Sequence, residues 1–171
     1  RWYYFSAFVK DSANHWSLAS GLSQDSVWIP DITPPSNVTA FDVVYLGADS
    51  VKLSWVSTDS ADAQAVSIRY ETDGTWPTAY NDGSEWAYYN IAVTSDTAFG
   101  LSEKTWYRFA AFTKDTTGNW SLATGYSQDS VYMPDITAPA NVTAFDASYT
   151  AGDTLTFTWN QWGDGPPWKT S

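Results

Sequence analysis

The sequence contains no cysteine, one histidine and one methionine among its 171 residues. Without cysteine there is no disulfide scaffold, no thiolate-ligated zinc and no thiol nucleophile. The single imidazole, His15, leaves little material for His-based metal or acid–base chemistry. Basic residues are scarce too, with 8 Lys+Arg against 19 Asp+Glu and a formal net charge of −11. Nucleic acid and anionic membrane surfaces attract proteins through clustered Lys and Arg, so this balance argues against both as partners. Apolar runs are short; residues 86–93 and 109–112 are strand-length, far from the roughly 20 residues of a membrane helix. No membrane insertion is expected. What the chain does have is aromatic: 18% Phe, Trp and Tyr, with 11 Trp. That is too much for a disordered acidic tail and enough for a large core.

Sliding the chain along itself gives one strong match. Residues 2–42 align without gaps on residues 106–146, a shift of 104, with 28 of the 41 paired positions identical. Ser23-Gln24-Asp25-Ser26-Val27 recurs as Ser127-Gln128-Asp129-Ser130-Val131, and Leu53-Ser54-Trp55 is echoed by Phe157-Thr158-Trp159. A period this long is domain-sized, unlike solenoid repeats whose short units cannot bury a core alone. The boundary reads Pro30-Asp31-Ile32-Thr33-Pro34-Pro35, echoed by Pro134-Asp135-Ile136-Thr137-Ala138-Pro139. Prolines fix φ and restrict the residue before them, so this is expected to be a short, stiff, extended linker. The expected organisation is a partial unit at 1–30, one complete unit at 35–133 and a second partial unit at 139–171.

Within the complete unit the hydrophobic period is two. Val51, Leu53 and Trp55 alternate with polar neighbours, as do Val66, Ile68 and Tyr70. Tyr107, Phe109, Ala111 and Thr113 share one face of a longer strand; Trp106, Arg108, Ala110 and Phe112 share the other. Turn signals at Thr72-Asp73-Gly74, Asn81-Asp82-Gly83 and Thr117-Gly118-Asn119 separate the runs. Many short strands within roughly 100 residues point to an all-β, antiparallel β-sandwich.

These residues carry a family resemblance. Pro35-x-x-Val38-Thr39, Leu53-x-Trp55, Ile68-x-Tyr70 and Leu101-x-x-x-Thr105-x-Tyr107 resemble strands A, B, C and the entry to F of a fibronectin type III domain. The resemblance implies an immunoglobulin-like sandwich with a corner tyrosine at Tyr107; Glu103 departs from the proline usual there. Residues 115–121 and 72–78 are similar to loops of bacterial members, which are tandem modules of large secreted or cell-surface proteins.

Catalysis has little to work with. The complete unit holds neither histidine nor cysteine, since the repeat-mate of His15 is Asn119, so no Ser–His–Asp or Cys–His arrangement can form inside it. Trp76, Tyr80 and Trp86 cluster in a Gly/Asp/Pro-punctuated region, and Trp106 lies on the outward face of its strand. Exposed rings beside Asp73, Asn81 and Asp82 would suit sugar stacking and hydrogen bonding; edge-covering packing explains the same residues. Arg108, between Trp106 and Phe112, could cover either ring. Trp55 and Trp159 read as core, and Trp16 and Trp120 as loop packing. Asp31 and Asp135, flanked by Asp25, Asp42, Asp129 and Asp146, put oxygen ligands at the junctions that would suit Ca²⁺. No D-x-[DN]-x-[DN]-G loop accompanies them, solvated acidic turns explain them equally, and no metal ligand or cofactor is assigned. Asn37, Asn119 and Asn141 each head an N-x-[ST] tripeptide.

The two partial units would supply strands F–G and A–B alone and leave edges and core aromatics open. The chain is therefore expected to be a piece of a longer array, with tail-to-head self-association as a second possibility. The expected role is that of a non-catalytic extracellular spacer or adhesion module, with neighbouring repeats, a glycan or a surface protein as partners. The alternative is a carbohydrate-binding accessory module of a secreted hydrolase.

Overall fold

The computed structural model describes residues 1–160. The chain divides into two compact units, Arg1–Pro134 and Asp135–Ser171, with the division falling in the second of the two proline-bearing linkers. Residues 161–171, the end of the 139–171 segment, lie outside the described residues.

The first unit opens with a hairpin of β1 (Trp2–Ser6) and β2 (Gln24–Trp28), paired in the register Trp2↔Trp28. Seven strands follow: β3 (Thr39–Gly47), β4 (Ser50–Val56), β5 (Ala63–Glu71), β6 (Ser84–Asn90), β7 (Ser95–Ala98), β8 (Thr105–Asp115) and β9 (Gln128–Met133). They form two antiparallel sheets, one in the order β3-β4-β7 and the other β6-β5-β8-β9. Alternation decides which side chains meet between them. Val51, Leu53 and Trp55 from β4 face Val66 and Ile68 from β5 and Tyr107, Phe109 and Ala111 from β8, closed by Val131 and Met133 from β9. Leu53, Ile68 and Phe109 are fully buried, each contributing about 1.5–3 kcal/mol. The Trp55 indole N–H is buried in this core without a hydrogen-bond partner.

Local chemistry accounts for the corners. Gly47 and Ala48 both take positive φ (111° and 49°), so the tight β3–β4 turn needs one glycine and strains one alanine. Before β8 the backbone N–H of Ser102 donates to the Tyr107 hydroxyl at 2.9 Å, which is the corner tyrosine expected at that position. Asn37 fastens the entry to β3: its amide N–H₂ donates to Ala111 O (2.8 Å), Leu122 O and Ser127 Oγ (both 3.0 Å). Its N-x-[ST] amide nitrogen is thus committed to the fold, as is that of Asn119, which donates to Asp115 Oδ2 at 2.7 Å.

The second unit contains the hairpin β10 (Thr143–Ala151) and β11 (Thr154–Asn160). These strands begin and end 104 residues after β3 and β4, and the register shifts recur at the matching places, Thr39/Asp42 with Thr143/Asp146 and Tyr45/Gly47 with Tyr149/Ala151. Trp159, expected as core, is half exposed beside an open Phe145–Phe157 pair. The described residues of this unit form a single two-stranded layer, which gives these rings no second sheet of their own unit to pack on.

Candidate functional site

The outer face of the β6-β5-β8-β9 sheet gathers the aromatic residues, and the segment between β5 and β6 determines which of them stay open. Residues 72–83 fold back over this face. Thr75 N–H and Oγ1 donate to Asp73 Oδ1, and Thr78 N–H and Oγ1 donate to Asp82 Oδ2 at 2.8 Å each. The Thr78 bonds hold the Asp82 carboxyl below the ordinary carboxylate range. Arg69 anchors the returning limb, its guanidinium donating to Asp82 O (3.1 Å), Gly83 O (2.6 Å) and Glu85 Oε2 (3.2 Å). Gly83 sits at φ +69°, where an added Cβ would lie 2.7 Å from Tyr70 O, so only glycine passes there. Pro77 ends fully buried against the sheet, with its carbonyl accepting from Gln128 Nε2 at 3.2 Å.

Phe112 shows what the loop does. Strand alternation directs it outward, yet it is fully buried, as is Ala110. A second, smaller apolar layer therefore lies outside the sheet, and Phe112 keeps the outward side expected from the sequence but is covered there. Arg108 covers neither Trp106 nor Phe112; its guanidinium carbon lies 6.0 Å from the Trp76 ring centroid.

The four sequence-selected aromatics separate. Trp76 is half-buried beneath Arg108. Tyr80 stacks on Trp120, with centroids 4.4 Å apart and planes 3° from parallel, while Lys114 lies over Trp120 at 5.7 Å. Trp86 turns the other way. The β5–β6 register jumps from Ile68↔Ala87 to Arg69↔Glu85, leaving Trp86 as the extra residue of a bulge, which re-aims a side chain. It packs against the inter-sheet core and donates Nε1–H to Asp96 Oδ2 at 3.2 Å. The Tyr89 hydroxyl donates to the same oxygen. Burial pushes the Tyr89 phenol well above its ordinary pKa, and the Asp96 carboxylate adds to the shift.

Trp106 is the most exposed of the four at 51%, ahead of Tyr80 at 41%, one of whose faces is taken by the Trp120 stack. Its cross-strand neighbour Tyr132, which the sequence reading did not select, lies 5.4 Å away at a 44° tilt. The first repeat repeats the arrangement with Trp2 and Trp28, 5.8 Å apart at 54°. Trp16 likewise matches Trp120 in lying under a lysine, Lys10 at 5.5 Å, but is more exposed, because residue 80 has no repeat-mate within the chain to stack on it.

The junction is the second assembled place. Asp31 from the linker, Asp62 between β4 and β5, and Asp115 at the end of β8 bring carboxylate oxygens within 4.8 Å of one another. Of the six linker-region acids singled out in the sequence, Asp31 alone belongs to this group; Asp62 and Asp115 arrive through tertiary folding. An all-oxygen set suits a hard cation such as Ca²⁺. Asp115, however, already accepts five hydrogen bonds, from Thr117 N and Oγ1, Gly118 N, and Asn119 N and Nδ2. Burial alone would push its carboxyl up; these bonds outweigh burial and leave it below the ordinary range. Asn119 Nδ2 also donates to Asp31 O at 3.2 Å, so the turn that holds Asp115 holds the linker as well. Asp129 serves the fold instead, accepting Val43 N–H and Ser130 N–H at 2.8 Å each.

His15 is exposed, with Nδ1 3.1 Å from Asp11 Oδ2, in the turn equivalent to the one that places Asn119 beside Asp115. A shallow concavity of about 300 Å³ on the N-terminal hairpin, bordered by Phe5 and Leu22, contains Asp25 as its one titratable group. No helix among the described residues is long and apolar enough to cross a membrane.

No protein-family model and no curated protein sequence matches the chain. Among solved structures it is similar to the spore cortex lytic enzyme SleM of Clostridium perfringens (17% identity, TM-score 0.44), over 66% of this chain and 33% of that one. It is similar to the fn3 domain of human collagen alpha-1(XX) (17%, TM-score 0.47), over 65% of this chain and 96% of the domain. It also resembles the central fibronectin-III array of RIM-binding protein (15%, TM-score 0.40), over 93% and 55%. The chain thus spans only a third of the lytic enzyme's length. With three strands facing four in the orders β3-β4-β7 and β6-β5-β8-β9 and a tyrosine corner at Tyr107, the seven strands β3 to β9 have a fibronectin type III-like fold.

Proposed function

We propose that the chain is a non-catalytic extracellular module that works as a spacer and adhesive segment within a tandem array of like units. The docked linker carries this reading. Pro35 is buried, Ser36 N–H donates to Ser60 Oγ at 2.9 Å, and Asp31 O receives Asn119 Nδ2–H. A linker with proline-fixed φ angles and hydrogen bonds to the following unit transmits orientation from one bead to the next; a free one would not. The missing cysteines and the single exposed histidine favour the same reading over an enzyme.

The absence of native cysteine makes the test direct. Spin labels on Leu18→Cys and Leu122→Cys, exposed positions one repeat apart, report the distance between units by pulsed dipolar spectroscopy. A narrow distribution that broadens in Asn119→Ala supports a stiff spacer. A broad distribution in the parent overturns it.

A further inference from the structure

We infer that the open face of the N-terminal hairpin is a seat for the segment Asn141–Ala147 of a second copy of this chain, so that chains join tail to head. The inference goes beyond the spacer reading, adding a contact between chains to the order within one. The complete unit shows such a seat occupied. There Asn37 Nδ2 donates to Ala111 O at 2.8 Å and to Ser127 Oγ at 3.0 Å, and Phe41 N–H donates to Tyr126 O at 3.1 Å. Val43 N–H donates to Asp129 Oδ2 at 2.8 Å. Val38 and Phe41 of the seated segment are buried in the core.

A shift of 104 residues carries the same seat onto β1 and β2, where it is open. The mates of Ala111, Tyr126, Ser127 and Asp129 are Ala7, Leu22, Ser23 and Asp25, and these four border the concavity of about 300 Å³ beside Phe5. The hairpin already has the shape of the occupied seat. Ala7 N–H donates to Ser23 O at 2.8 Å, as Ala111 N–H does to Ser127 O at 2.9 Å. Asp25 Oδ1 accepts Ser26 N–H at 2.7 Å, as Asp129 Oδ1 accepts Ser130 N–H at 2.8 Å, which keeps Oδ2 as the oxygen for an incoming N–H. Phe5, the mate of the fully buried Phe109, is 59% exposed.

Sequence and shape name the occupant. Asn37-Val38-Thr39-Ala40-Phe41-Asp42 recurs unchanged as Asn141-Val142-Thr143-Ala144-Phe145-Asp146. The first copy is committed to β8 and β9, while Val142 and Phe145 of the second are 51% and 62% exposed. The second copy is also bent like the seated one. Ala40 and Ala144 take φ of 49° and 51° at matching register shifts, a left-handed conformation uncommon for alanine. With both partners preshaped, docking costs little ordering, and two open apolar faces gain by covering each other. One bond has no equivalent: Thr113 Oγ1 donates to Asn37 Oδ1 at 3.2 Å, and its mate is Val9. Among the described residues neither hairpin brings a counterpart of β5, β6 or β7, so the joint is weaker than a complete unit and forms reversibly.

Sedimentation velocity of the 171-residue chain across a concentration series tests this. Dimers and longer oligomers should grow with concentration. Phe145→Asp, which blocks the tail, and Phe5→Asp, which blocks the seat, should each weaken self-association roughly 10²-fold or more. Both residues are exposed and lie outside β3 to β9, so neither variant disturbs the complete unit. Mixed in equal amounts, the two variants should form a 1:1 dimer and nothing larger, because one keeps an intact seat and the other an intact tail. Tyr4→Ala removes a still more open ring from the other face of β1 and should leave association unchanged. A parent that stays monomeric at every concentration, association that survives either blocking variant, or a mixture that does not dimerise would each overturn the inference.

Discussion

Tyr80 and Trp120 lie face to face at 4.4 Å, although one belongs to the loop after β5 and the other to the turn after β8. Their stack latches residues 72–83 over Phe112 and makes the outer layer of the sheet. Tyr80→Ala should therefore lower stability by about 1–3 kcal/mol, more than a surface substitution, because aromatic stacking and buried area are lost together. Tyr80→Phe keeps the ring and should stay within about 0.5 kcal/mol of the parent. Urea midpoints of the two variants check this, and equal midpoints would show that the loop does not depend on the stack.

Asp96 ties the two open sheet edges together by accepting from Trp86 and Tyr89 across the inter-sheet gap. Burial pushes its carboxyl up, but hydrogen bonds from Tyr89, Thr97 N–H and Trp86 outweigh burial and leave it lowered. The folded chain thus holds this proton less tightly than the unfolded chain. The stabilisation is whole above the ordinary Asp pKa of about 3.9 and fades as pH falls through the lower folded value. Asp96→Asn should lose about 1–2 kcal/mol at pH 7 and show a shallower decline in melting temperature between pH 5 and pH 2, about the window in which the parent carboxylate titrates.

Tyr107→Phe removes the acceptor of Ser102 N–H and nothing else from the corner. A part-buried N–H left without its partner predicts a loss of about 1–2 kcal/mol, measured as a lower denaturant midpoint with an unchanged slope.

The core was the legible part of the sequence, because strands covered on one face alternate. Val51, Leu53, Trp55, Val66 and Ile68 fall where their period places them, and Tyr107 closes its corner despite Glu103. Trp86 was not legible, since a one-residue bulge reverses a side chain without changing composition. Phe112 escaped for a different reason: the loop that buries it is a tertiary partner that strand alternation does not encode. The Asp31–Asp62–Asp115 grouping joins three distant segments, so no local spacing announced it. Tyr132 could have been found, because its repeat-mate Trp28 is also aromatic and each sits opposite the tryptophan that opens the preceding strand.

The central claim is that the linker is held by the unit it enters, and ¹⁵N relaxation of the Asp31, Ile32 and Thr33 amides tests it most directly. Order parameters near 0.85, as in the flanking strands, are predicted for the parent, with a fall in Asn119→Ala. Values below about 0.6 in the parent would contradict the account and make these units beads on a loose string.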